Sequence, residues 1–157
     1  MNTLNIKFSV IGGTETWFQG DNYLNYNIDG YHSTHNVRST SKGGGVSLFV
    51  RDHIPFTTRS DLTLLEKQIE CTFIEIEKSH ISSNQNVIVG VVYRPPDTSI
   101  SCFNEIISDI LLKIKHENKK CYITGDFNIN ILNYDTHVPT SDFTDTMYIC
   151  IPIHSIP

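Results

Sequence analysis

Two patterns of apolar residues organise the chain, a helical stripe and a set of short strand-like runs. The stripe has apolar residues three and four positions apart, which predicts an amphipathic helix. Its members are Phe103, Ile106, Ile107, Ile110, Leu111 and Ile114. Ser99 or Ser101 can cap its start, and Asn118 stands where it can end.

The strand-like runs are FSVIGG, VSLFV, CTFIEIE, VIVGVVY and CYIT. Val46, Leu48 and Val50 of VSLFV share one face, whereas VIVGVVY is almost wholly apolar, as expected of a strand covered on both faces. CTFIEIE and VIVGVVY are expected to pair through the turn-rich KSHISSNQN. The polar, aromatic and glycine-rich residues 21–45 are predicted to form a long loop, and a short helix is predicted near SDFTDTMYI.

The order strand–helix–strand around the stripe is that of an α/β unit. With 157 residues, 39% hydrophobic and 18% charged, the chain is expected to form one folded domain. The longest apolar runs are far shorter than a membrane span, and the N-terminus carries no signal-peptide pattern. Four widely spaced cysteines without a C-x-x-C pair argue against zinc and for reduced thiols.

The formal net charge of −5 restricts the ways in which this chain can bind nucleic acid. A protein that grips nucleic acid mainly by neutralising phosphates is usually basic. Any nucleic-acid role must therefore depend on a local site or on neighbouring segments.

Polar residues follow three of the predicted strands: Glu15 after FSVIGG, Tyr93 at the end of VIVGVVY, and Asp126 and Asn128 after CYIT. Functional groups tend to gather where loops leave the ends of strands. Magnesium favours one or two carboxylates together with water and substrate oxygens, and a phenol and an amide can donate hydrogen bonds to a phosphoryl oxygen. If the strands share one sheet edge, these four residues suit phosphate and hard-cation chemistry.

Each residue also has a structural interpretation. Gly-Asp after a strand is most often a turn, Tyr93 can be an aromatic packed before two prolines, and Glu15 can be a solvated or capping acid. Trp17 is expected in the core. KGGGV can cradle a phosphate but is more typical of a turn leading into a strand, and His32 and His35 are expected to be solvated.

Taken together, TETWF, GGGVSLFVRDHIPF, VVYRPP and GDFNIN resemble the endonuclease/exonuclease/phosphatase family in their order and separations. More narrowly they look like the apurinic-type endonuclease domain of LINE-like (non-LTR) retrotransposons. The resemblance runs from about residue 6 to about residue 150. It implies a DNase I-like α/β sandwich of two packed β-sheets flanked by helices, and metal-dependent hydrolysis of phosphodiesters in DNA.

The resemblance also implies roles for the four residues. Glu15 matches the ligand of Mg²⁺ (or Mn²⁺), and Tyr93 matches a tyrosine that contacts the scissile phosphate. Asp126 matches the aspartate that orients or deprotonates the attacking water, and Asn128 matches an asparagine that hydrogen bonds to the phosphate. The implied partners are DNA and the reverse-transcriptase segment of the same element. The implied location is intracellular, in the nucleus, without membrane association.

Departures from the family pattern lead to a further expectation. Fourteen residues before Glu15 are too few for the family's opening strand, with its asparagine, and the following helix. The chain also ends at Pro157 before the closing strands that carry an aspartate and an Asp-His pair, and His154 has no aspartate before it. We therefore expect residues 1–157 to be a single incomplete domain with little or no nuclease activity. The alternatives are a non-catalytic remnant or domesticated binding protein and a phosphatase of the same superfamily.

Overall fold

The most apolar strand of the sequence lies at the centre of a two-sheet sandwich. The computed structural model of the protein describes residues 7–18, 26–39 and 43–148. Its strands are β1 (Val10–Thr14), β2 (Tyr31–Asn36), β3 (Val46–Arg51), β4 (Phe56–Thr58), β5 (Leu64–Leu65), β6 (Glu70–Ile76), β7 (Val87–Tyr93) and β8 (Lys120–Asp126). Its helices are α1 (Ile100–His116) and α2 (Val138–Met147), with 3₁₀ turns at Lys78–His80 and Ile131–Asn133.

The strands form two sheets in this part of the chain. The first has the order β1-β3-β2 with antiparallel neighbours. The second has the order β4-β6-β7-β8, with β5 also paired to β6. β6 and β7 pair, as predicted, and are antiparallel, whereas β7 and β8 are parallel and α1 connects them. The predicted strand–helix–strand unit is therefore confirmed.

The second sheet lies between the first sheet and the helices, which explains why β7 is apolar along its length. Val91 and Tyr93 pack with β3 residues of the first sheet, while Ile88 and Val92 pack with the apolar stripe of α1. Successive strand residues point to opposite faces, so both faces of β7 are buried. The fold class predicted from the sequence is confirmed.

Helix α1 follows the predicted stripe closely. Ser99, not Ser101, is the N-cap, and its side chain accepts a hydrogen bond of 3.3 Å from the backbone N–H of Cys102. Glu117 caps the C-terminus, and Asn118 follows with a positive φ of 52°. Left-handed backbone at this position commonly ends a helix, so the predicted stop is confirmed.

The prediction of one long loop over residues 21–45 is wrong in part. Tyr31–Asn36 forms β2, which pairs with β3 along its length. Its sequence, YHSTHN, has no apolar alternation, so tertiary pairing with the buried β3 decides its conformation. The short helix predicted near SDFTDTMYI is confirmed as α2 but begins earlier, at Val138.

Residues 149–157, which include Cys150 and His154, lie outside the described ranges. Among the residues that are described, no helix combines the length and apolar character needed to cross a membrane.

Candidate functional site

Tyr93 and Asp126 lie side by side at the carboxyl ends of two parallel strands. They are register partners in the β7–β8 ladder. Tyr93 packs on the side of the first sheet. In β8, Thr124 reaches toward Gly12 of β1, so Asp126, two residues further on, shares that face. Both residues therefore face the first sheet at one edge of the second.

Glu15 reaches the same place from the end of β1. Its backbone has a positive φ of 52°, and Trp17 follows with 57°, so a tight non-helical turn follows the strand. Oε1 of Glu15 accepts a hydrogen bond from the hydroxyl of Tyr93. Oε2 accepts from the indole N–H of Trp17 at 2.8 Å and from the backbone N–H of Gly44 at 2.9 Å.

These contacts keep Glu15 ionised. Partial burial acts to raise the pKa of its carboxyl, but the hydrogen bonds from Tyr93, Gly44 and Trp17 outweigh burial, and the pKa lies below its ordinary value. Burial, together with the hydrogen bond to Glu15, raises the pKa of the Tyr93 phenol. Tyr93 is thus a neutral donor beside an anionic acceptor.

The segment Gly125–Asn128 is a turn that holds Asp126 and Asn128 in fixed positions. Oδ1 of Asp126 accepts a 3.0 Å hydrogen bond from the backbone N–H of Asn128, which has a positive φ of 49°. The amide Nδ2 of Asn128 donates to the carbonyl of Arg94 at 2.9 Å. At Gly125 the backbone passes so close to β7 that an added Cβ would lie 1.8 Å from the carbonyl oxygen of Val92. Only glycine fits there.

Arg94 is a further residue of this site, and the sequence reasoning missed it. It is 3% exposed, and its guanidinium donates to the carbonyl oxygens of Phe127 (2.7 Å), Thr98 (2.5 Å) and Asn128. Its backbone N–H donates to the carbonyl of Asp126 at 3.0 Å. Arg94 therefore fastens the turn that carries Asp126 and Asn128 to the end of β7. The motif RPP placed a cation there, but nothing in its pattern signalled burial.

The glycine run confirms one of the two interpretations of KGGGV. Gly43, Gly44 and Gly45 have φ values of 85°, 72° and 86° and lead into β3, as predicted for a turn before a strand. The N–H groups of Gly44 and Gly45 donate to the carboxylates of Glu15 and Glu70, so their hydrogen-bond partners are acids of this chain.

The expectation that Trp17 is a core residue is wrong, because it is 62% exposed and its indole N–H donates a hydrogen bond to Glu15.

The two histidines singled out in the sequence lie elsewhere. The ring of His35 hydrogen bonds to the hydroxyls of Ser47 (2.7 Å) and Ser33 (3.0 Å) in the first sheet. His32, at the surface, lies 3.8 Å from the carboxylate of Asp52. Neither residue belongs to the set around Glu15.

The ligand atoms available at Glu15 fit a cation that is held by a single carboxylate. No cluster of three or more His, Cys, Asp or Glu residues suited to a metal occurs in the ranges that the structure describes. An ionised carboxylate can accept about four hydrogen bonds, two on each oxygen. Among the described residues, two donors bind Oε2 of Glu15 and one donor binds Oε1. One direction on Oε1 is left for a cation, and Mg²⁺ commonly binds through one or two carboxylates with water and substrate completing its shell.

The two packed sheets with helices on one side form the DNase I-like α/β sandwich that the sequence predicts. The sequence matches the Endonuclease/Exonuclease/phosphatase family over residues 5–148. The chain belongs to this family, whose members are hydrolytic enzymes that generally use divalent metals.

A solved structure supports the fold. The structure titled as the human Nocturnin catalytic domain with bound sulfate anion superposes with a TM-score of 0.54 at 15% sequence identity. The match covers 93% of this chain and 61% of that one, so the chain spans about three fifths of the length of the Nocturnin domain. No match was found among curated proteins.

Proposed function

We propose that this chain carries the metal- and phosphate-binding part of a phosphodiester hydrolase site whose substrate is DNA. The observation that carries the proposal is the hydrogen bond from the hydroxyl of Tyr93 to Glu15. Asp126 lies beside Tyr93, as its register partner on the neighbouring parallel strand β8. Three residues far apart in sequence thereby meet at one sheet edge, and Asn128 joins them through the carbonyl of Arg94.

Each residue has a chemical task in such a site. Glu15 is the residue that would hold Mg²⁺ or Mn²⁺, which when bound neutralises charge on phosphoryl and leaving oxygens. Tyr93 keeps its proton and can donate a hydrogen bond to Glu15 or to a phosphoryl oxygen. Asn128 uses one amide N–H on Arg94 and has a second for the phosphate. Asp126 orients the attacking water and takes its proton.

Turnover in this chain is proposed to be slow. Within the described part of the chain, the Asp126 carboxylate accepts a hydrogen bond from the N–H of Asn128, and no histidine bonds to it. A positioned acid–base partner contributes about 10²- to 10⁴-fold to such a reaction. This observation also favours a second candidate function, a binding protein that holds a cation and a phosphate without hydrolysis.

The finer proposal is that the chain derives from the endonuclease domain of a LINE-like retrotransposon, where a reverse-transcriptase segment accompanies it. ETW, YRPP and GDFN in this order support that branch over a phosphatase of the superfamily. A reverse-transcriptase reading frame next to the coding sequence is the expected finding. An intact host gene with introns would instead favour the binding protein.

Metal binding can be tested without turnover because Trp17 is the single tryptophan of the chain and its indole is bound to Glu15. Titration with Mg²⁺ is expected to change Trp17 emission, and Glu15→Gln is expected to abolish the change. The matched control is Glu105→Gln on the exposed face of α1, which should respond as the wild type does. An identical response in Glu15→Gln would rule out Glu15 as the ligand.

Nicking of supercoiled plasmid in Mg²⁺ separates the two candidate functions. A hydrolase gives slow nicking that Asp126→Ala abolishes, whereas a binding protein retains the Mg²⁺ response of Trp17 and gives no nicking. Fast nicking that depends on Asp126 would contradict the expectation of impaired turnover.

A further inference from the structure

Glu70 is a buried carboxylate that the proposed chemistry does not use. It is the first residue of β6 and is fully buried, and it lies directly opposite Tyr93 in the β6–β7 ladder. Burying a carboxylate is costly unless charged and polar partners compensate it. The identity of those partners indicates what this residue does.

The partners of Glu70 come from the glycine run itself and from the segment that follows β2. Oε2 accepts a 2.5 Å hydrogen bond from the backbone N–H of Gly45. Oε1 accepts a 2.6 Å hydrogen bond from Nε of Arg38, whose Nη2 also contacts it. The carboxylate therefore joins the residues after β2 to the residues before β3.

The glycine run in turn holds the residues around Glu15. The N–H of Gly44 donates to Glu15 at 2.9 Å, and the carbonyl of Gly44 accepts from the N–H of Trp17 at 3.0 Å. The carbonyl of Gly45 accepts from the N–H of Thr16 at 3.3 Å. Glu15 and Trp17 both have positive φ, a conformation that is unfavourable for a non-glycine residue and persists only where the surroundings impose it.

The fit between this loop and the ion pair is tight. A Cβ on Gly44 would lie 2.7 Å from Oε1 of Glu70 and from Nε and Cζ of Arg38. The backbone of the loop is thus in contact with the ion pair on one side and with Glu15 on the other. Displacing Glu70 would remove the contacts that hold the glycine run in place, and with them the orientation of the Gly44 N–H toward Glu15.

We infer that Glu70 and Arg38 are positioning residues that set the N–H donors around Glu15 by anchoring the glycine run. The inference builds on the proposed function, in which Glu15 holds the cation. Their effect reaches the site through the backbone of Gly44 and Gly45.

The test uses ¹H–¹⁵N spectra of the metal-free protein, in which the single indole N–H of Trp17 and the N–H of Gly44 report the donors to Glu15 directly. Glu70→Gln is expected to shift both resonances, because a neutral amide holds Gly45 and Arg38 less firmly. The matched control is Glu75→Gln in the same strand, which also loses ion pairs, to Arg59 and Lys119. It should leave both resonances in place even if it lowers the Tm equally.

A second readout is the Mg²⁺ titration of Trp17 emission, in which Glu70→Gln should weaken apparent affinity about threefold to tenfold. Unchanged Trp17 and Gly44 resonances in a folded Glu70→Gln protein would overturn the inference. If Glu70→Gln does not fold, Arg38→Lys decides in the same way, since it keeps the charge but loses the forked contact. Absence of any Mg²⁺ response in the wild type would count against the proposed function alone, because the metal-free spectra still test the anchoring.

Discussion

Replacing Gly44 by alanine tests whether the glycine run is shaped by the ion pair beneath it. Gly44 has a φ of 72°, and its added Cβ would lie 2.7 Å from atoms of Arg38 and Glu70. Gly30 provides the matched control, because its φ is 83° and an added Cβ would meet nothing within 4 Å. The two substitutions share the backbone penalty and differ only in the clash.

The backbone penalty for alanine in left-handed conformation is about 1 kcal/mol. Overpacking adds about 1–3 kcal/mol. We therefore expect Gly30→Ala to lower the free energy of unfolding by about 1 kcal/mol and Gly44→Ala to lower it by about 2–4 kcal/mol. For a chain of this length the shifts in Tm correspond to about 3 °C and about 6–12 °C.

Denaturant unfolding followed by circular dichroism measures the two values, and Trp17 emission reports the site in the same samples. Gly44→Ala should also alter the Mg²⁺ response of Trp17, because its N–H donates to Glu15. Gly30→Ala should leave that response unchanged. Equal destabilisation by the two variants would refute the claim that the ion pair fixes the glycine run.

Three further predictions concern Glu15, α1 and Arg94. The pKa of Glu15 is below its ordinary value of 4.5 in the folded protein, so its stabilising contribution is present above pH 4.5 and is lost as pH falls through the folded pKa. Glu15→Gln should accordingly reduce the acid-side decline of the unfolding free energy, and an unchanged decline would contradict the assignment. Leu111→Ala should cost about 2–5 kcal/mol because Leu111 is fully buried, whereas Leu112→Ala, at 41% exposure, should cost about 1 kcal/mol or less; equal costs in denaturant melts would contradict the packing of α1. Arg94→Met should cost about 2–4 kcal/mol, because it removes the hydrogen bonds of a buried guanidinium to the carbonyl oxygens of Phe127, Thr98 and Asn128, whereas Lys115→Met on the exposed face of α1 should be close to neutral.

The parts of the fold that the sequence predicted are those in which burial leaves a repeating pattern. The stripe of α1 is visible because one face of a helix packs on a sheet, and β7 is visible because both of its faces are covered. β2 could not be found in this way. Its polar residues lie against β3, and the hydrogen bonds of His35 to Ser47 and Ser33 depend on a partner strand that is distant in sequence.

The four site residues could be proposed because each lies at the end of a predicted strand or soon after it, and the structure brings them to one sheet edge. The buried residues that hold these four in position could not be proposed from the sequence. Arg94 and Glu70 are charged residues that a pattern of polar positions would place at the surface, yet both are buried because backbone groups of other segments bind them. For Trp17 the error is the reverse. Its aromatic ring suggested a place in the core, but it is exposed and its indole N–H donates a hydrogen bond to Glu15.

Paramagnetic broadening by Mn²⁺ tests most directly the central claim that Glu15, Tyr93, Asp126 and Asn128 form one cation and phosphate site. Mn²⁺ added at substoichiometric concentration is predicted to broaden the amide resonances of Gly44, of the turn 125–128 and the indole of Trp17 first, and Glu15→Gln should remove this selectivity. Broadening centred on other exposed acids, or unaltered broadening in Glu15→Gln, would contradict the account.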